Sequence, residues 1–229
     1  MIDRDRQQQL LDRFDGNGDD ITDTLCCDVA DLLGVDDVTL ALIGDSNRRL
    51  TLCVSSANAL SLDNWQFTLD EGPCLEAAAG GQTVSGPTSP SEETPWPLLA
   101  ARAFELGYHT IAGTPMAVSG RVFGVMNLLM SAGDFGDHTL DDAERVASYL
   151  AGPIVGQLAE QAPGLIDLSH HASVHQATGI IAAQMGIGVD DALAVLRAHA
   201  WTEGRLLVHI ADEVVSHQLT FGTSPDRSE

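Results

Sequence analysis

His175-Gln176-Ala177-Thr178-Gly179-Ile180-Ile181-Ala182-Ala183-Gln184-Met185-Gly186, followed by Asp190-Asp191-Ala192 and then Ala211-Asp212-Glu213-Val214-Val215, is the stretch whose pattern decides the fold of the C-terminal quarter. Val174, Ala177, Ile180, Ile181 and Met185 recur at helical spacing, so one face of this segment is apolar. Gly186 and Gly188 stop the helix. Asp190 and Asp191 carry negative charge into the start of a second helix, where it favours the macrodipole, and Ala192, Val195, Leu196 and Ala200 form its stripe. Gly204 breaks that helix, and Leu207, Ile210, Val214 and Val215 mark a third. The pattern predicts a compact all-α bundle of three short helices that presents a surface and carries no catalytic constellation.

The segment resembles the ANTAR domain, a three-helix RNA-binding output module of bacterial antiterminators. Its first helix commonly reads Ala-Lys-Gly before an apolar pair. The matching residues are Ala177-Thr178-Gly179-Ile180-Ile181, with the later alanines at Ala192, Ala200 and Ala211 and the Leu-Arg pair at Leu196-Arg197. Thr178 stands where the lysine is usual.

Composition limits what else the chain can be. Its 229 residues allow one large domain or two modest ones, and a hydrophobic content of 44% supplies real cores. The net charge of -22 comes from 33 acids against 11 basic residues, every one of them Arg. Such a surface repels nucleic acid and anionic membranes at long range. The polar start Met1-Ile2-Asp3-Arg4-Asp5-Arg6 and the absence of a run of about twenty apolar residues lead to the expectation of a cytoplasmic protein. Cys26, Cys27, Cys53 and Cys74 have neither the density of a secreted scaffold nor the paired spacing of a zinc site, and free thiols are expected.

Upstream, residues 1–19 form a polar segment, and the acidic glycine-rich run at 15–20 lacks the closing glutamate of a calcium loop, so a solvated turn is expected. Leu25, Val29, Leu32 and Leu33 suggest an amphipathic helix ended by Gly34. Val38–Ile43 and Leu50–Val54 read as a hairpin, Thr110–Val118 and Arg121–Met130 as two more strands joined by Ser119-Gly120. Pro73 opens a short helix that the Gly80-Gly81 pair ends, Trp96, Leu99, Ala100 and Ala103 mark another, and Leu140–Leu158 is a long one that Gly152-Pro153 can kink. Gln161-Ala162-Pro163-Gly164 should interrupt the helix as a hinge, because Pro163 lacks a donor. Helices flanking an antiparallel sheet make an α+β layer arrangement.

The order of elements resembles a GAF domain, a small-molecule sensing module of bacterial signalling. The residues that carry the likeness are Glu71-Gly72-Pro73-Cys74-Leu75-Glu76-Ala77, Gly80-Gly81-Gln82-Thr83-Val84, Pro115-Met116 and Gly124-Val125-Met126-Asn127-Leu128. The two resemblances divide the chain into a GAF-like sensor over 20–162, an ANTAR-like output domain over 163–221 and a disordered tail over 222–229. GAF pockets accept cyclic nucleotides, haem, chromophores and small metabolites. Cys74, Glu71 and Asn127 are the candidate pocket residues, and no cofactor or ligand can be named from them.

Cys74 sits where a helix should begin, where thiols can be activated, although a buried small hydrophobe is the simpler account. Free methionine sulfoxide reductases use cysteines in a GAF scaffold, but only Cys74 and Cys53 fall near the pocket here, and no enzymatic activity is expected. His171 and His175 are one helical turn apart without an assured third ligand, so a solvated face is expected and no metal.

RNA recognition by the ANTAR-like bundle requires cationic and hydrogen-bonding groups on one exposed face. The candidates are His175, Gln176, Thr178, Gln184, Arg197, Trp201 and Arg205; Trp201 can stack on a base or pack in a core. Arg197 and Arg205 are the only arginines between Ile166 and Phe221, so a homodimer is expected to supply enough positive charge. The resemblance thus implies signal-responsive transcription antitermination through RNA hairpins, without DNA or membrane partners. The alternative is a ligand-sensing, dimerisation or protein-interaction module that has lost RNA binding.

Overall fold

The computed structural model describes residues 22–44, 49–89, 93–136, 138–165 and 172–222. The polar segment 1–19, the acidic run at 15–20, the turn at 45–48, His170 and His171, and residues 223–229 of the tail lie outside the described residues.

Five strands, β1 (Asp37–Ile43), β2 (Arg49–Val54), β3 (Val84–Pro87), β4 (Thr110–Val118) and β5 (Arg121–Met130), form an antiparallel sheet in the order β2-β1-β5-β4-β3. Alternation along each strand sends side chains to two cores. On one face Leu40, Met116, Met126 and Leu128 pack against α1 (Thr22–Leu33) and the start of α5 (Thr139–Leu165). On the other, Ile111, Val125 and Leu129 meet α2 (Ala57–Leu69), α3 (Pro73–Gly80) and α4 (Pro97–Glu105). This is the α+β arrangement that the strand pattern predicts.

A bulge in β2 decides which side chains reach which face. Leu40 pairs with Cys53 but Ala41 with Thr51, so Leu52 is an extra residue. Thr51 and Cys53, two apart, would otherwise share a face. Instead Thr51 turns toward α2 while Cys53 faces α1, where it forms a disulfide with Cys26 across a Cα separation of 5.8 Å. The expectation of four free thiols is thereby corrected: only Cys27, exposed, and Cys74, buried, are free. Packing of α1 on the bulged strand brings together two cysteines 27 residues apart, a proximity that spacing does not encode.

Two further differences concern helices. The expected break at residues 161–164 is absent, because α5 continues through Pro163 to Leu165. A proline removes one backbone donor and bends a helix without necessarily ending it, and here it falls in the last turn. The second difference is α2, a helix whose sequence carries no clean apolar stripe. Ser56 caps it by accepting the Ala59 N–H, and its buried residues are Ala59, Leu62, Asp63, Gln66, Phe67 and Thr68.

The C-terminal bundle comprises α6 (Ala172–Met185), α7 (Val189–Glu203) and α8 (Leu207–Val215). Its core contains Val174, Ala177, Ile181, Leu196, Leu207, Ile210 and Val214. Ala192, Ala200 and Ala211 are fully buried, which lets the three helices approach closely. Ile180 is half-buried and Met185 exposed, so the apolar stripe is narrower than the sequence suggests. Phe67 of α2 belongs to this same core, joining the bundle to the sheet domain.

Candidate functional site

Beneath α2 and α3 the sheet domain buries a polar cluster. Asp63 accepts hydrogen bonds from Thr51 Oγ1 at 2.7 Å, Thr39 Oγ1 at 3.5 Å and Arg49 Nη2. Asn127 Nδ2 donates to Thr39 Oγ1 at 2.8 Å. Arg49, Asp63, Thr39, Thr51 and Asn127 are all buried. Burial works against the Arg49 charge, but Asp63, with Cys74 beside it, outweighs that cost and holds the guanidinium pKa above its ordinary value. An ion pair this deep requires such hydrogen bonding around it.

Cys74 stands within electrostatic reach of Arg49 and of the Asn127 amide. Its backbone N–H donates to Gln66 Oε1 at 3.1 Å. Burial pushes the thiol pKa up, Arg49 pulls it back only in part, and Asp63 adds to the rise. The thiol is therefore neutral, and the helix N-terminus does not create a thiolate. Gly72 precedes it at φ 137°, where a Cβ would meet Gln66 Oε1 and Leu99 Cδ2, both at 2.6 Å. Gly113 of β4 lies so close beneath this turn that a Cβ there would stand 2.5 Å from the Pro73 carbonyl oxygen.

Of the three candidate pocket residues, Asn127 and Cys74 belong to the cluster, whereas Glu71 does not. Its carboxylate accepts the Leu98 and Leu99 N–H groups at 2.9 and 3.1 Å, capping α4. Arg49 and Asp63 escape sequence reasoning. Arg49 follows a polar turn, and Asp63 sits in the helix without a clean stripe.

The bundle meets the sheet domain along α2. Thr68 Oγ1 accepts the Leu207 N–H at 3.0 Å, and Arg197 Nη2 lies 3.1 Å from Asp70 Oδ1. The Arg197 guanidinium also stands 5.6 Å from the Phe67 ring centroid. Its side chain is 16% exposed, against 47% for Asp70, and burial lowers its pKa despite Asp70.

The other candidates for RNA contact disperse. Thr178 is buried and its hydroxyl donates to the Val174 carbonyl at 2.7 Å, so it does not face solvent. Its position on the helix falls on the inner face beside Ala177. His175 and Gln176 are exposed on α6; Gln184, also exposed, accepts the Phe221 N–H at 3.0 Å. Trp201 is 48% exposed rather than packed in the core. Arg205 pairs within the bundle with Glu213 at 2.6 Å and Glu203 at 3.0 Å, which hold its pKa above the ordinary range. Among the described residues no three His, Cys, Asp or Glu gather to hold a metal, and no single helix is long and apolar enough to cross a membrane.

Comparison with known proteins matches this geometry. The family model described as GAF domain matches residues 17–154, and that described as ANTAR domain matches residues 167–215. No curated protein matches the chain. Among solved structures, the GAF domain of an Acinetobacter phosphoenolpyruvate-protein phosphotransferase aligns with TM-score 0.54 at 18% identity, covering 69% of this chain and 96% of that one. The corresponding GAF domain from Coxiella burnetii gives 0.52 at 14% identity, with 69% and 96% covered. Free methionine-R-sulfoxide reductase from Neisseria meningitidis gives 0.51 at 15% identity, with 69% and 90% covered. At these identities the likeness is one of fold. The chain belongs to the GAF domain family, and with an ANTAR domain following its sensor domain it has the architecture of a GAF–ANTAR regulator.

Proposed function

We propose that the chain is a signal-responsive antitermination regulator whose ANTAR domain binds RNA hairpins and whose GAF domain controls that binding. The observation that carries this reading is the position of Arg197. Arg205 is paired within the bundle, whereas Arg197 is paired across it, with Asp70 and over Phe67 of the sensor. RNA phosphate and the sensor therefore compete for one guanidinium, and the bundle binds RNA when it leaves α2. Exposed His175, Gln176, Gln184 and Trp201 add hydrogen-bonding and stacking groups. A homodimer doubles the few cations available against a net charge of -22. The domain boundaries at 20–162 and 163–221 belong to the same proposal.

The regulator acts without catalysis. Burial raises the pKa of the Cys74 thiol and Cys53 is held in a disulfide, so neither cysteine is an activated thiol, which supports this reading.

Fluorescence anisotropy with paired RNA hairpins over a salt series tests the reading. Arg197→Ala is expected to weaken binding and to reduce the slope of log K against log salt by about one phosphate contact. If neither the wild-type chain nor a variant freed from α2 binds hairpins at low salt, the RNA reading fails. The protein-interaction alternative then stands, favoured by the exposure of Met185, Val189 and Trp201 on the bundle.

A further inference from the structure

The buried cluster under α2 contains hydrogen-bonding groups that its protein neighbours do not meet. Arg49 Nε and Nη1 and Asn127 Oδ1 have no partner among the described residues, although both residues are almost wholly buried. Polar groups buried this deeply are ordinarily satisfied, and where the protein does not serve them a water or a bound molecule does.

The chemistry of the unmet groups defines the molecule. Arg49 offers N–H donors and so requires an acceptor; Asn127 Oδ1 is an acceptor and requires a donor. The charges are already balanced, since Asp63 neutralises Arg49 and is itself served by Thr51 and Thr39. A charged ligand would add an uncompensated charge to a buried site, which desolvation disfavours. We propose that this cluster is the sensor's recognition site for a small uncharged ligand that carries an acceptor beside an N–H donor, as on the edge of an amide, urea or lactam.

The proposal rests on reading the GAF domain as a ligand sensor, and its test uses no RNA, so loss of the RNA reading leaves it standing. Ligand-observed NMR and calorimetry on the full chain compare nicotinamide with nicotinate and propionamide with propionate. Each pair has one shape but differs in charge and in its N–H donor. The amides are expected to bind saturably, the acids at least about tenfold more weakly. Asn127→Leu leaves the Arg49–Asp63 pair in place and is expected to abolish amide binding while thermal unfolding stays cooperative. Arg49→Met combined with Asp63→Asn removes both charges together and is expected to do the same.

Three results overturn the proposal. Acids binding as tightly as amides make this an anion site. Amide binding that survives in both variants belongs elsewhere on the molecule. No binding of either amide at millimolar concentration means that water alone serves the three groups.

Discussion

Replacing Phe67 by Ala separates docking of the output bundle from folding of the bundle. Among the contacts that hold the bundle to α2, three differ clearly in magnitude. The Asp70–Arg197 pair has one partner 47% exposed and contributes about 0–1 kcal/mol. The hydrogen bond from Leu207 to Thr68 contributes about 0.5–1.5 kcal/mol. Phe67, 3% exposed among bundle residues, contributes most, about 3 kcal/mol at the low end for a phenylalanine truncated in a core. Phe67→Ala should therefore shift the docking equilibrium by about a hundredfold.

The reporter is the Leu207 amide. It opens α8, where a backbone N–H has no partner inside its own helix, and its hydrogen bond goes to Thr68 of the sensor. Its hydrogen exchange reads docking alone. In Phe67→Ala it should speed up by about two orders of magnitude while amides in the middle of α6 and α7 keep their protection. RNA affinity should rise, because the apparent dissociation constant falls as the competent fraction grows. The reasoning is refuted if Leu207 exchange is unchanged, or if all three bundle helices lose protection together. The second result would make Phe67 part of the bundle's own core rather than a clasp.

Further outcomes follow from individual residues. The native chain should release one thiol to a disulfide reagent, from Cys27, and a second, from Cys74, only on unfolding. Reduction of Cys26–Cys53 frees a loop closed over a sequence separation of 27 and should lower stability by about 3.5 kcal/mol, read by denaturant titration with and without reductant. Tyr108 donates to Asp37 at 2.7 Å, and burial followed by that bond pushes its phenol above the ordinary range. A raised folded-state pKa gives stability that is full below the unfolded phenol value, about 10, and is lost as pH rises through the folded value. Absorbance titration of a Tyr149→Phe variant should show the remaining tyrosine ionising only together with alkaline unfolding. Thr178→Ala should change stability by less than about 1 kcal/mol and leave RNA affinity unaltered, because the hydroxyl it removes bonds inside its own helix.

Where a residue's neighbours lie within a few positions of it, the sequence was a sufficient guide. β5 alternates Val125, Asn127 and Leu129 against Met126 and Leu128, and each set faces the side that the period of two dictates. The alanines of the bundle read correctly because small residues at helical spacing have few other uses. Helix α2 did not, since its buried face mixes polar with apolar side chains and meets different partners along its length. Leu62 meets the sheet side, Asp63 and Gln66 meet polar partners, and Phe67 meets the output bundle. A helix whose buried face is partly polar shows no apolar stripe in its sequence. The same holds for the disulfide and for Arg49, whose partners come from distant elements. Thr178 failed for a different reason: family position suggested exposure, whereas the inner face of α6 includes it.

The features that were hardest to read are also those that join the two domains. Asp63 and Phe67 are four residues apart on α2, just over one turn or about 6 Å along the axis, with Gln66 between them. One end of this turn anchors the buried cluster and the other fills the core of the bundle. A helix moves as a rigid unit over so short a distance, and close-packed neighbours cannot absorb a shift without rearranging. Binding at the cluster alters docking only to the extent that its free energy differs between the docked and released positions of α2. On the proposed reading, Asp63 holds Arg49, and a ligand bonded to Arg49 would favour whichever position of α2 keeps that pair intact. Control of the output domain then needs no pathway across the sheet, only one helix whose two ends report to different partners.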